Sequence, residues 1–254
     1  MIRTERLDHG GPGFAGVAEI VLDRAEKRNA LTPAMLDEMV VRAEALNADP
    51  SVRAIVLRGE GSVFCAGFDL SLCRDDPTPL AEMLRGLARA IRALRRGRVP
   101  VVAAAHGGAI AGGCALLGAA DLVVGDRRGK YGYPVVSLGI SPAVSAPTLR
   151  RAVGERAARA RLLDPALIDG DEAKRIGLLD LCTEIPEDVV PRAQIEAGAL
   201  GRKPPGALAA TKRWLNEVEG TLGDAELDTA LAASLAIVGS REERERLATL
   251  FGGV

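Results

Sequence analysis

VPVVAAAHGGAIAGGCALLGAADLVV, residues 99 to 124, carries the reading of the fold. It begins with a short apolar run at 99 to 104, rich in valine and of strand length. The run empties into HGGAIAGGCALL, His106 to Leu117, and Gly112 and Gly113 fall at the first turn of the helix that follows. At that turn the backbone N–H groups lack intrahelical partners and the positive end of the helix dipole points outward, so developing negative charge can be held there. Asp121, in a cap or turn role, opens the next strand at 121 to 125.

The same pattern is repeated upstream. GVAEIVL at 16 to 22 and RAIVLR at 53 to 58 read as strands, and the second of these empties into GEGSVFCAGFDL, Gly59 to Leu70. The glycines there suit a loop whose N–H groups face outward, with Asp69 placed to cap a helix start. Between the strands, Pro33 opens a helix after Thr32, with Met35, Met39, Val40, Ala43 and Leu46 at helical spacing. A second helix is expected from about Leu80 to Leu94. Strands alternating with helices predict an α/β domain. Beyond Pro142 the pattern is helical apart from a strand at Leu181 to Ile185, and Pro204 to Phe251 reads as three helices punctuated by Gly220, Gly223 and Gly239.

With 254 residues, 48% hydrophobic, the chain can bury a full core, about three quarters of its unfolded surface. Its 33 Lys and Arg nearly cancel its 34 Asp and Glu, so no nucleic-acid or membrane-surface field is expected and attraction for an anion must be local. No apolar run approaches a membrane span and no leader-like segment opens the chain, so a cytoplasmic protein is expected. Cys65, Cys73, Cys114 and Cys182 fall at no metal-ligand spacing and read as reduced, mostly buried thiols; no metal site is expected.

Either glycine loop alone has a steric explanation. Together, DRAEKRNAL at 23 to 31, FCAGFDL at 64 to 70 and HGGAIAGGCALLGAADLVV at 106 to 124 resemble the crotonase (enoyl-CoA hydratase/isomerase) superfamily, and YGYPVVSLGISPAVSAPTLRRAVG at 131 to 154 and DGDEAKRIGLLD at 169 to 180 extend the resemblance over most of the chain. The resemblance implies an α/β spiral of ββα repeats over residues 1 to 200, holding the CoA site and two oxyanion loops. It also implies a C-terminal helical trimerisation region at 201 to 254, a homotrimer or dimer of trimers, and an acyl-CoA thioester as partner, with coenzyme A belonging to the substrate and no other cofactor. The oxyanion donors would be the backbone N–H groups of Phe68 and Gly112. Lys27, Arg28, Ala30, Ala66, Asp69 and Leu70 would line the CoA site, although Lys27 and Arg28 are also readable as solvated turn charges and Asp69 as a cap. Gly113, Ala115, Pro134, Val135, Leu138 and Ala143 would border the acyl group.

The resemblance also exposes a departure. A hydratase of this pattern would carry glutamates where this chain has Ala115 and Val135, and members with an acid eight residues beyond the second would carry it where this chain has Ala143. Neither alanine nor valine exchanges a proton. The remaining acid/base candidates are Tyr133, Tyr131 and His106. Two functions stay open: an enzyme that forms an enolate without the usual acids, such as a decarboxylase or isomerase, and an acyl-CoA binder that converts nothing. A Clp-type serine protease would need a serine within HGGAIAGG, which has none.

Overall fold

The computed structural model describes residues 1–7, 12–221 and 223–252. A six-stranded sheet runs in the order β1 (Ile2–Arg6), β2 (Val17–Leu22), β3 (Ala54–Gly59), β4 (Val101–Ala105), β6 (Leu122–Asp126) and β8 (Leu181–Thr183). β1 is antiparallel to β2 and every later pairing is parallel. β5 (Gly108–Ile110) and β7 (Lys130–Gly132) form a separate parallel pair. Parallel neighbours require crossovers, which α1 (Pro33–Ala48) and α2 (Thr78–Arg96) supply between β2, β3 and β4.

The sheet is apolar on both faces because both are covered. Ile20, Leu22, Ile55, Leu57 and Val101 pack with the buried stripes of α1 and α2. Val17, Ala54, Val56, Val102 and Val124 face Val189, Ala193 and Ala197 of α6 (Val189–Gly201). Strands buried on both sides read as continuous apolar runs, the pattern visible in the sequence. One polar exception is Glu19, 1% exposed, which accepts from Arg58 Nε at 2.6 Å and from Gln194 Nε2 of α6 at 2.9 Å. α1 starts as expected: Thr32 Oγ1 accepts the Met35 N–H and Pro33 needs no acceptor.

α3 (Gly112–Leu117) follows β5, and α4 (Ala146–Leu163) and α5 (Gly170–Arg175) precede β8. The C-terminal helices are α7 (Pro205–Val218), α8 (Ala225–Leu235) and α9 (Arg241–Gly252). The first two are tied to the core by polar contacts. Lys212 of α7, buried, donates to Val99 O at 2.9 Å and pairs with Asp121 Oδ2 at 2.6 Å. Ser234 of α8 accepts from the Val144 N–H at 2.9 Å and donates to Ser141 O at 3.0 Å. Among the described residues no helix is long and apolar enough to cross a membrane.

Candidate active site

Backbone pairing of three segments builds the site. The turn at 28–31 lies against the first glycine loop: Ala66 N–H donates to Arg28 O, Leu31 N–H to Gly67 O and Asp69 N–H to Leu31 O. The first loop in turn lies against the second, with Phe64 N–H donating to His106 O and Ile110 N–H to Cys65 O. Buried Asn29 holds the corner, donating to Glu60 O and Val63 O and accepting from Arg24 N–H.

The pairing decides which amides stay free. In the bridge between Leu31 and Phe68 both hydrogen bonds are made by Gly67 O and Asp69 N–H, so the Phe68 N–H is turned away from Leu31. Gly112 opens α3, whose first intrahelical bond runs from Ala115 N–H to Ala111 O. Among the described residues neither the Phe68 nor the Gly112 N–H finds an acceptor. Glycine is favoured at two positions here. Gly67 has φ +94°, and a Cβ on Gly112 would stand 3.0 Å from the Phe68 ring.

These residues border a cavity of about 150 Å³, close to the size that accepts a benzene-sized molecule. Phe68 and Leu70 come from the first loop, Ile110 to Gly112 from the second, and Leu84 and Leu87 from α2. The opposite wall is Tyr133, Pro134, Val135 and Leu138, followed by the turn from Ile140 to Ser145. Among the described residues no Asp, Glu, His, Lys or Arg lines it. Of the expected acyl-pocket residues, Pro134, Val135 and Leu138 line the cavity. Gly113 and Ala115 are buried within α3 and Ala143 lies in the turn itself, none of them on the wall. From the turn at Ile140 to Ser145 sequence reading named only Ala143 and missed the neighbours that form the wall, since nothing local to it marks which way each residue faces.

The three acid/base candidates separate. Tyr131 Oη donates to Ala105 O at 2.9 Å and accepts from Asp126 N–H at 3.2 Å, and burial pushes its pKa up. His106 Nε2 lies 3.1 Å from Gly61 O and burial holds its pKa below the ordinary value. Neither residue lines the cavity; Tyr133 does. Burial, with Cys114 adding in the same direction, raises the Tyr133 pKa well above that of a free phenol, so at neutral pH it is a donor and no base. Cys65 and Cys114, beside the loops, are pushed up to about 12 by burial and are inert thiols.

Of the residues expected at the CoA site, Ala30, Ala66 and Leu70 are half-buried along the paired loops, while Lys27 and Arg28 are exposed at their edge. Neither cation has a side-chain partner among the described residues. Asp69 is committed: it caps the turn at Leu70–Cys73 and pairs with Arg24 at 2.8 Å. Burial works against its charge, but Ser71 and Arg24 outweigh that and hold its pKa below the usual carboxylate value. Among the described residues no cluster of His, Cys, Asp and Glu could hold a metal.

The family model described as Enoyl-CoA hydratase/isomerase matches residues 13–236. The chain belongs to the enoyl-CoA hydratase/isomerase family. This family member is 37% identical over 208 residues to a Thermus thermophilus protein provisionally named an enoyl-CoA hydratase, covering 80% of this chain and 82% of that one. It is 31% identical to a crotonyl-CoA hydratase of Syntrophomonas wolfei, over 79% and 78% of the two chains. The solved enoyl-CoA hydratase/isomerase of Xanthobacter autotrophicus superposes with a TM-score of 0.86 at 27% identity, over 99% of this chain and 93% of that one. The family's α/β crotonase fold is therefore the fold of this chain.

Proposed function

We propose that this family member binds a short acyl-CoA thioester and forms an enolate from it as a lyase or isomerase, without the two-glutamate chemistry of hydration. The observation that carries the reading is the pair of N–H groups, Phe68 and Gly112, that find no acceptor among the described residues, at an apolar cavity to which those residues bring no carboxylate and no imidazole. An enolate places its charge on the thioester oxygen. Each preorganised donor aimed at that oxygen is worth about 3 kcal/mol, roughly a hundredfold in rate. Exposed, unpartnered Lys27 and Arg28 at the outer end of the loops suit the coenzyme's phosphates.

The relatives' names point to hydration, which needs one group to activate water and another to manage the proton at Cα. Here Ala115 is buried and Val135 is apolar wall, and the one phenol in the cavity is held neutral. Decarboxylation avoids the requirement. The bond from Cα to a β-carboxylate breaks, its electron pair enters the enolate, neutral carbon dioxide leaves, and Cα takes a proton afterwards. An apolar wall favours that departure. The absence of a base supports a second reading equally directly, a non-catalytic acyl-CoA carrier or sensor.

Mass spectrometry of enoyl, β-carboxyacyl and saturated CoA thioesters incubated with the protein, against a protein-free control, separates these. Loss of carbon dioxide from a β-carboxyacyl thioester, or a positional shift of the double bond seen as a new chromatographic peak of unchanged mass, is the expected result. Gain of water would overturn the reading. Retention of thioester without conversion would establish the carrier.

A further inference from the structure

Backbone pairing of the two glycine loops fixes one side of the cavity, but two other stretches of its wall come from separate elements: Leu84 and Leu87 of α2, and the turn from Ile140 to Ser145. α8 is tied to both. Arg92 of α2 pairs with Asp224, just before α8, at 2.9 Å and with Asp228 inside it. Leu227, Leu231 and Leu235 of α8 pack in the same apolar cluster as Leu84 and Leu87. At the other end of the helix Ser234, 1% exposed, meets the turn.

The Ser234 hydroxyl works in both directions. Its Oγ accepts the Val144 N–H at 2.9 Å and donates to Ser141 O at 3.0 Å, which a hydroxyl can do at once and an alanine not at all. The turn's own bonds, Ile140 N–H to Val135 O at 3.1 Å and Ser145 N–H to Pro142 O at 2.9 Å, bracket the stretch that Ser234 holds. Val144 is buried, so removing the hydroxyl leaves its N–H in apolar surroundings, a cost that the backbone relieves by moving. The separation of the turn from α2 is thus set through α8, and with it the width of a cavity of about 150 Å³. A fixed wall discriminates by size. A methylene that finds apolar room tightens binding about fourfold, whereas one that must displace a packed wall weakens it.

We propose that Ser234 is a positioning residue that holds the turn from Ile140 to Ser145 against the acyl group, so that the cavity selects short acyl chains over long ones of the same chemistry. The inference rests on the acyl-CoA reading above and deepens it by assigning the limit on chain length to a named side chain. Ser234 is not itself part of the cavity wall, so its effect on binding passes through the turn.

The test is calorimetric binding of butyryl-CoA and octanoyl-CoA to the wild-type protein, to Ser234→Ala and to Lys212→Met, a variant expected to lose stability through α7, away from the cavity wall. The wild type should prefer butyryl-CoA by about tenfold or more. Ser234→Ala should shrink that preference by about fivefold or more while butyryl-CoA affinity stays within about threefold, and Lys212→Met should keep the wild-type ratio. A wild type without the preference, or a ratio unmoved in Ser234→Ala, would overturn the proposal while butyryl-CoA binding kept the acyl-CoA reading intact. An equal change of ratio in Lys212→Met would also overturn it, by showing that any loss of stability loosens the cavity. Hydrogen exchange of the wild type gives a second measurement that needs no folded variant: the Val144 amide should be protected to the degree of the amides inside α8, and exchange at the rate of an open chain would overturn the proposal. Failure of both thioesters to bind would remove the acyl-CoA reading and the proposal together.

Discussion

Ala111 adopts φ +48° and ψ −108° at the entry to α3, immediately before the Gly112 N–H. Its N–H is fixed by Gly132 O at 2.8 Å, so the turn is held in place from outside. A side chain in that region carries a steric cost that glycine avoids, about 1 to 3 kcal/mol less the extra chain entropy of glycine. Ala111→Gly should therefore stabilise the protein by about 1 kcal/mol, seen as a higher urea midpoint with unchanged slope; a lower midpoint would show that the turn is unstrained. The preference for glycine at 67 and 112 was legible because glycine is the residue without a Cβ, and such loops favour it. The strain at Ala111 was not, since alanine carries no local mark of the φ it must adopt. The two tyrosines teach the same lesson: YGY is symmetric as text, and the hydroxyl partners of Tyr131 lie 26 and 5 residues away.

At the level of elements, the helices of the tail are anchored by groups that their own sequence hides. Lys212 lies among the residues of α7 that face inward, and burial lowers its pKa, opposed by Asp121. Replacing it with methionine leaves Asp121 without its cation and two carbonyls without a donor. Lys212→Met should cost about 2 to 4 kcal/mol and speed hydrogen exchange in α7; a neutral result would mean that apolar packing alone docks the helix. In α9, Glu243 caps the helix start, its carboxylate accepting the Gly239 N–H while Ser240 Oγ accepts the Glu243 N–H. Its other oxygen is buried without a partner, and burial raises its pKa above 4.5 despite Arg244 and the Gly239 and Ser240 bonds. Cys73 faces it from the neighbouring turn. A raised acid favours the protonated fold: the contribution is complete below 4.5 and is lost as pH rises through the folded value. Glu243→Gln should therefore narrow the difference in Tm between pH 5 and pH 7.5 relative to wild type, and an unchanged difference would show that the carboxyl is solvated. The long elements were legible because their apolar spacing is regular. β1, β5 and β7 were not: β1 is polar, with Arg3 and Glu5 in charge pairs, and β5 and β7 are three residues each and contain glycine.

For the molecule as a whole, the burial of both sheet faces leaves the remaining large apolar groups on the outside. Trp214 is 61%, Leu215 52% and Val218 66% exposed, all on α7. Neighbouring exposed apolar side chains of this size mark an association surface. Together with the family resemblance this leads us to expect a particle of three or six chains, to be measured by light scattering on the eluted peak. Trp214→Glu should shift the mass downward; a monomeric wild type would leave the α7 patch without that role. Near-balance of charge is used in the fold mainly for pairing, as in the chain from Glu5 through Arg58 to Glu19 and Glu60.

From residue order alone came the α/β class, the positions of the two glycine loops and the family they resemble, together with the alanine and valine at 115 and 135. Local physics suffices for these, because strand and helix periods, helix caps and the absence of a Cβ are properties of a few neighbouring residues. Tertiary structure decided which backbone amides are free, since that depends on Leu31 pairing with Phe68 and Cys65 with Ala109 across 37 and 44 positions of chain. It also decided that, among the described residues, the cavity wall carries no charged side chain and one neutral phenol, whose hydroxyl is buried beside Ser145 and Cys114. Burial and hydrogen-bond satisfaction are sums over neighbours that the chain brings together only when folded.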